Sequence, residues 1–388
     1  MSAEHVSAVK PVSGEHATPF RFYDNRQKYL AFVNTCNEKS AVAHRAALEL
    51  KHVRPTPPAL RIFDAGMRDA TVLSRLMRHA HSQGPTVPLM VVAKEISLED
   101  VRLGLEKMPD RFMEHPATVL VITNMNYSEA PRLMPRDIHS AAALNWHEVR
   151  LKGQTSNEYA EQIEELATML AFGWQTKPSL KTGNPVYVRP SVLVVYREDH
   201  KFLLDRVIPK PGQTFESYDL IVASQPWRAR MSAKFKAERV LAPLARSLAP
   251  NGRLMVIQSF GRDPALEIIQ KLWPDENPFQ VDRRQLLAAL KTELGREASE
   301  FSLSAPTDDK AIFRYQMHTL PSEIGDRIGT STLFAAWNAA IYVNQIEDER
   351  LDEVVTTGAY LDATQSILQK HGGLWFNDET FVVSRRQK

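Results

Sequence analysis

The stretch Leu60-Arg-Ile-Phe-Asp-Ala-Gly-Met-Arg-Asp-Ala-Thr-Val-Leu73 decides how the chain is read. An apolar run ends in an acid and a glycine, and an amphipathic segment follows, which is the pattern of a buried strand, a sharp turn and a helix. Glycine lets backbone approach a ligand closely, and the next helix offers unpaired N–H groups at the positive end of its dipole. Working outward, Leu60 to Asp64 predicts a strand, Ala70 to Ser82 a helix, Leu89 to Glu95 a strand, Leu98 to Met108 a helix and Thr118 to Thr123 a strand. That β-α-β-α-β rhythm implies a parallel sheet covered on both faces.

The rhythm lapses between about 126 and 217, where a helix is expected over Asn157 to Phe172, then strands over Ser191 to Tyr196 and Lys201 to Ile208, joined by a hairpin loop at Arg197-Glu-Asp-His200. It resumes with a strand over Tyr218 to Ala223, a helix over Ala229 to Leu248, a turn at Ala249-Pro-Asn-Gly252 and a strand over Leu254 to Gln258. One sheet interrupted by an insertion follows. Further helices are expected over 264–273, 283–294 and 331–346, with a last strand at Thr380-Phe-Val-Val-Ser384. Upstream, Tyr29, Phe32 and Val33, then Ala43, Ala46, Ala47 and Leu50, recur at helical spacing until Arg54-Pro-Thr-Pro-Pro58 stops them.

The chain thus divides into an N-terminal tail and helical lid (1–55), the first half of a Rossmann-like α/β domain (56–125), an inserted α+β segment with a helix and hairpin (126–217), and a second half with C-terminal substrate-shaping elements (218–388). Its 388 residues carry 48 Lys and Arg against 46 Asp and Glu, so the net charge of +2 sets up no broad field to draw in nucleic acid. A single cysteine, Cys36, excludes an intramolecular disulfide framework and a Cys-based zinc cluster, and fits a reducing compartment. No metal motif occurs, and neither a secretory apolar run nor a membrane-spanning stretch is present, so a cytoplasmic protein without a membrane partner is expected.

In the order of its motifs the chain resembles class I methyltransferases, which use S-adenosylmethionine (SAM). Asp64 and Gly66 match the start of that family's Asp-x-Gly-x-Gly-x-Gly cofactor loop, although Arg68 and Ala70 stand where its later glycines belong. Glu95, after the second strand, matches the acid that accepts both ribose hydroxyls; two carboxylate oxygens suit a vicinal diol. Asn124 and Asn126, with Met125 between them, fall where the family reads adenine. Ser217 to Trp227 resembles its fourth strand, with Ser224 at the cleft. Leu241 to Ile257 resembles the helix, turn and strand that follow, with Asn251 in place of a glycine and able to take left-handed turn geometry.

The resemblance implies a SAM-dependent transfer of a methyl group to a nitrogen or oxygen of a small molecule by in-line displacement, driven by alignment and desolvation. Ser224-Gln-Pro-Trp227 partly echoes the motif of enzymes that methylate planar amines. Tyr23, Glu38 and Trp227 are the candidates at the acceptor end, and no catalytic base is assigned. The alternatives are methylation of a nucleobase or protein amide, a noncatalytic binding protein on the same fold, and an NAD-dependent dehydrogenase, whose loop needs the missing glycines more strictly.

Overall fold

The computed structural model describes residues 26–180, 183–213, 217–319, 321–325 and 327–387. Three strands, β1 (Leu60–Asp64), β2 (Leu89–Lys94) and β3 (Thr118–Thr123), form from continuous apolar runs because both of their faces are covered. Ile62, Val91 and Leu120 pack on one side, against α2 (Glu38–Leu50) and α3 (Thr71–Gln83). Phe63, Val92 and Val121 pack on the other, with the helices over 233–246 and 283–294.

The full order of the main sheet is β10-β12-β9-β8-β1-β2-β3-β7-β4. The added strands are β4 (Asn145–Leu151), β7 (Ser191–Arg197), β8 (Tyr218–Ser224), β9 (Leu248–Ser259), β10 (Phe301–Ser302) and β12 (Trp375–Arg385). A further strand, β11 (Ile312–Gln316), also pairs with β12, while β5 (Thr176–Pro178) and β6 (Pro185–Tyr187) make a separate hairpin. From β3 through β2, β1 and β8 to β9 all pairs are parallel, and β12 runs antiparallel beside β9. This is a Rossmann-like α/β fold. Its direction of growth reverses between β1 and β8, and ligands of such sheets lie beyond the carboxyl ends of the strands at that switch.

The insertion differs from its expected form. The hairpin expected about Arg197–His200 does not form, the insertion's hairpin being β5–β6; β7 instead runs antiparallel to β3, and β4 parallel to β7, so the insertion lengthens the sheet. Lys201–Leu204 is helical rather than extended: Leu204 and Val207, three apart, are buried, whereas Phe202 and Leu203 are exposed. The helix expected over 157–172 is two, Ser156–Glu164 and Ala167–Gly173. Between β8 and β9 the helix runs from 233 to 246 with a π turn at Ala237–Leu241.

A third core joins the two ends of the chain. Tyr29 and Phe32 of α1 (Arg26–Thr35) pack with Tyr315, Phe376 and the helix Thr330–Val343. Phe32 meets Phe376 edge-on at 6.0 Å, and Tyr315 stacks on Phe376 at 4.9 Å. Among the described residues no helix is long and apolar enough to cross a membrane.

Candidate functional site

The loop after β1 keeps the backbone of a glycine-rich turn without the glycines. Arg68 has φ 49° and Ala70 φ 57°, both left-handed, a conformation that costs an L-residue roughly 1–2 kcal/mol. The loop is held from outside: the Arg68 N–H donates to Glu95 Oε2 at 2.8 Å and the Met67 N–H to the Lys94 carbonyl at 3.0 Å. The Arg68 guanidinium leaves the turn, donating to the Tyr342 hydroxyl at 3.1 Å and lying 5.3 Å from the Tyr29 ring centre. The side chain therefore stands on the wall of the cleft beyond the turn. Gly66 is not left-handed, and a methyl group added there would meet nothing within 4 Å.

Asp64 ends β1 and accepts the Gly66 N–H at 3.1 Å. Burial raises its pKa to about 6, against the opposing pull of that N–H, with Glu95 adding to the rise and Lys39 and Arg68 reducing it. Glu95 ends β2, and its other oxygen accepts the N–H groups of Ile96 at 2.8 Å and Ser97 at 2.9 Å. It thus clamps the loops after β1 and β2 together, and a carboxylate with about four acceptor sites retains capacity for a further donor.

Past β3 the two asparagines part company. Asn126 lines the cleft, its carbonyl oxygen taking the Ser128 N–H and hydroxyl while its amide donates to Glu129. Asn124, expected beside the adenine, is engaged with the insertion. Its amide donates to the carbonyls of Gly173 and Arg189, both at 3.0 Å, and its oxygen accepts the Ser191 N–H at 2.8 Å. Both donors are consumed in bracing the insertion. Met125 is likewise fully buried in the core.

At the end of β8, Ser224 lines the cleft. Gln225 turns left-handed (φ 49°) and spans strands, donating to Ser259 Oγ at 3.1 Å and Asp378 Oδ1 at 3.2 Å. The Trp227 indole N–H donates to Gln258 Oε1 at 3.0 Å, and Gln258 in turn donates to the buried Glu379, which is paired with Arg283 at 2.9 Å. Lys236 packs 5.4 Å from the Trp227 ring centre, and burial lowers its pKa to about 8. The indole is thereby fixed as one wall.

Together these residues enclose a cleft of about 860 Å³ at the carboxyl ends of β1, β2, β3 and β8, within the range of small-ligand sites. Of the residues singled out by sequence, Gly66, Glu95, Asn126, Ser224 and Trp227 meet there. Asp64 and Glu38 lie instead in a small recess behind the loop, with Lys39 and Arg68. Tyr23 lies outside the described residues. Unforeseen are Tyr29, Lys94 and Tyr127. The Tyr127 hydroxyl donates to the Pro226 carbonyl at 3.0 Å, tying the loop after β3 to the loop after β8 across the cleft, with Lys94 4.8 Å from its ring centre. Tyr127 directly follows Asn126 in sequence, and an aromatic just past the third strand was the available signal. Among the described residues no group of three His, Cys, Asp or Glu side chains is placed to hold a metal.

No family model matches the chain, and no curated protein is similar to it. Among solved structures it is similar to the cyclopropane synthase MmaA2 from Mycobacterium tuberculosis, at 12% identity, over 95% of this chain and 97% of that one, with a TM-score of 0.35. A geranyl diphosphate methyltransferase in complex with GPP and sinefungin matches at 12% identity over 89% and 78%, TM-score 0.32. The [4+2]-cyclase SpnF matches at 12% identity over 90% and 80%, TM-score 0.33. At these scores the likenesses add nothing to what the strand order already shows.

Proposed function

We propose that this chain is a SAM-dependent methyltransferase acting on a small-molecule acceptor. The observation that carries the reading is the open cleft at the strand switch, walled by Gly66, Glu95 and Ser224, with the Arg68 guanidinium held on its wall by Tyr29 and Tyr342. Gly66 and Glu95 would hold the nucleoside and methionine parts, with Asp64 supplying negative charge behind the loop toward a cation. Asn126 borders the adenine end. SAM, when bound, would supply an electrophilic methyl group to a nitrogen or oxygen of the acceptor at the other end, its sulfur leaving as a neutral thioether with the electron pair of the broken carbon–sulfur bond. The residues named here align the partners and exclude water; they form no covalent intermediate.

Gly66→Ala tests the reading cleanly. An added methyl meets no protein atom and the backbone is not left-handed, so thermal stability stays within about 2 °C. Gly66 lines the cleft, and the expected result is that SAM affinity measured by calorimetry falls at least tenfold. Equal affinity of the variant and the parent chain removes SAM from this site, and competition with NAD separates the dehydrogenase alternative.

A second reading, a binding protein that keeps the fold without transfer, is favoured by the Tyr127–Pro226 tie across the cleft. It requires that bound SAM persist with every acceptor tried; single-turnover release of the demethylated cofactor rejects it.

A further inference from the structure

The cleft is longer than a pocket confined to the strand ends. Phe235, Val240, Pro243 and Arg246 all line it, so it follows the helix between β8 and β9 for about 16 Å at 1.5 Å per residue. The π turn at Ala237–Leu241 has a structural consequence here: hydrogen bonding from i to i+5 brings Phe235 and Val240, five apart, onto the same wall. Ser128, Arg136 and Asn184 of the insertion form the opposite wall. The trough is amphipathic. Trp227 and Met231 line it with guanidinium groups of Arg136, Arg239 and Arg246; the acids of the whole lining are Glu95, Asp100, Glu238 and Glu293, outnumbered by Arg68, Lys94, Arg136, Arg228, Arg239 and Arg246.

Arg239 makes an exposed pair with Glu238 at 3.3 Å, whereas Arg246 holds both oxygens of Glu297, at 2.9 and 3.3 Å. An exposed single-contact pair contributes little, so the Arg239 guanidinium can turn to a bound anion at small cost. A planar guanidinium also matches carboxylate and phosphate oxygens two at a time.

Resting on the methyltransferase reading of this same cleft, we propose that the trough takes an elongated amphipathic oxyanion as the acceptor. The apolar body lies against Trp227, Phe235, Val240 and Pro243, and a carboxylate or phosphate engages Arg136 or Arg239. The charged group recognises and orients the molecule, and the atom that accepts the methyl lies at the other end, near Ser224 and Trp227.

Calorimetric titration of the full chain with octanoate, octyl phosphate and 1-octanol tests this, with SAM titrated into the same preparation. The expected result is that at least one anion binds tenfold or more tightly than the alcohol. The two anions tell the head groups apart. In the double variant Arg136→Met, Arg239→Met, with an unchanged circular dichroism spectrum, that preference falls below threefold while SAM affinity is retained. Equal binding of anions and alcohol, or a preference that survives in the double variant, overturns the inference. Loss of SAM binding with the anion preference intact instead strikes the methyltransferase reading and leaves the trough assignment standing.

Discussion

The buried carboxyl of Asp64 should make cofactor affinity depend on pH in a predictable way. Burial holds its pKa at about 6, against 3.8 for an ordinary aspartate, so the empty site is largely protonated below pH 6 and ionised above it. SAM carries a sulfonium and an ammonium, and a cation close to the loop favours the ionised form. If binding returns the group to its ordinary range, the two ionisation states differ in affinity by about a hundredfold, or about 3 kcal/mol at 1.36 kcal/mol per pH unit. SAM affinity should therefore rise up to about tenfold per pH unit toward pH 6 and level off above 7. Binding near pH 5 should release close to one proton, counted by calorimetry in buffers of different ionisation enthalpy. Asp64→Asn keeps an acceptor for the Gly66 N–H and removes the charge. Its profile should be flat, and its affinity at pH 7.5 about a hundredfold lower. The sign for stability is opposite. A carboxyl whose pKa is raised on folding stabilises below pH 4, and that contribution disappears as pH rises through 6, so the Asn variant melts higher at pH 7.5. A flat profile in the parent chain between pH 5 and 7, or equal affinities at pH 7.5, would refute the placement of a cation against this acid.

Asn124→Ala leaves the buried Ser191 N–H and the part-buried Arg189 carbonyl without their partner, while the Gly173 carbonyl keeps the Ser191 hydroxyl, and should destabilise the chain by about 2 kcal/mol in urea unfolding, with SAM affinity of the folded fraction staying within threefold. A selective loss of binding would restore Asn124 to the cofactor site. Tyr127→Phe breaks the tie to Pro226 and should speed SAM association severalfold in stopped-flow fluorescence; an unchanged rate would mean the tie is no barrier to entry. On the opposite edge of the sheet, His81 stacks on His115 at 4.7 Å, with its Nδ1 3.5 Å from a Glu114 carboxylate oxygen that partly offsets the effect of burial. Burial, then the neighbouring His115, lowers the His81 pKa to about 4. Its neutral form stabilises the fold above pH 6.5, and that contribution is lost as pH falls toward 4. His81→Leu should therefore flatten the acid side of the melting-temperature profile between those values.

What could be read locally in the sequence and what could not follows from the range of the forces. Strands β1, β2, β3, β8 and β9 are apolar runs buried on both faces, a condition written into a few adjacent residues. The edge strand β4, Asn-Trp-His-Glu-Val-Arg-Leu, is mostly half-exposed, so its residues record only the pairing with β7, whose partner strand lies about forty residues further on. Asn124 and Asn126 are the same residue type two positions apart, yet Gly173 and Arg189 claim the first and the cleft the second. Arg68 and Ala70 are the sharpest case, because the missing glycines argued against the turn that the chain nonetheless makes. Two left-handed L-residues cost together about 2–4 kcal/mol. A backbone N–H on a carboxylate contributes about 1.5–3 kcal/mol, and Glu95 accepts one from Arg68 and two more from Ile96 and Ser97, while Tyr342 accepts from the Arg68 guanidinium. The contributions are of the same size as the cost. The loop's shape is thus imposed by an acid 27 residues away and by a helix near the other end of the chain rather than by local backbone freedom. The same acid that shapes the turn also faces the cleft, which couples the stability of the loop to whatever binds there.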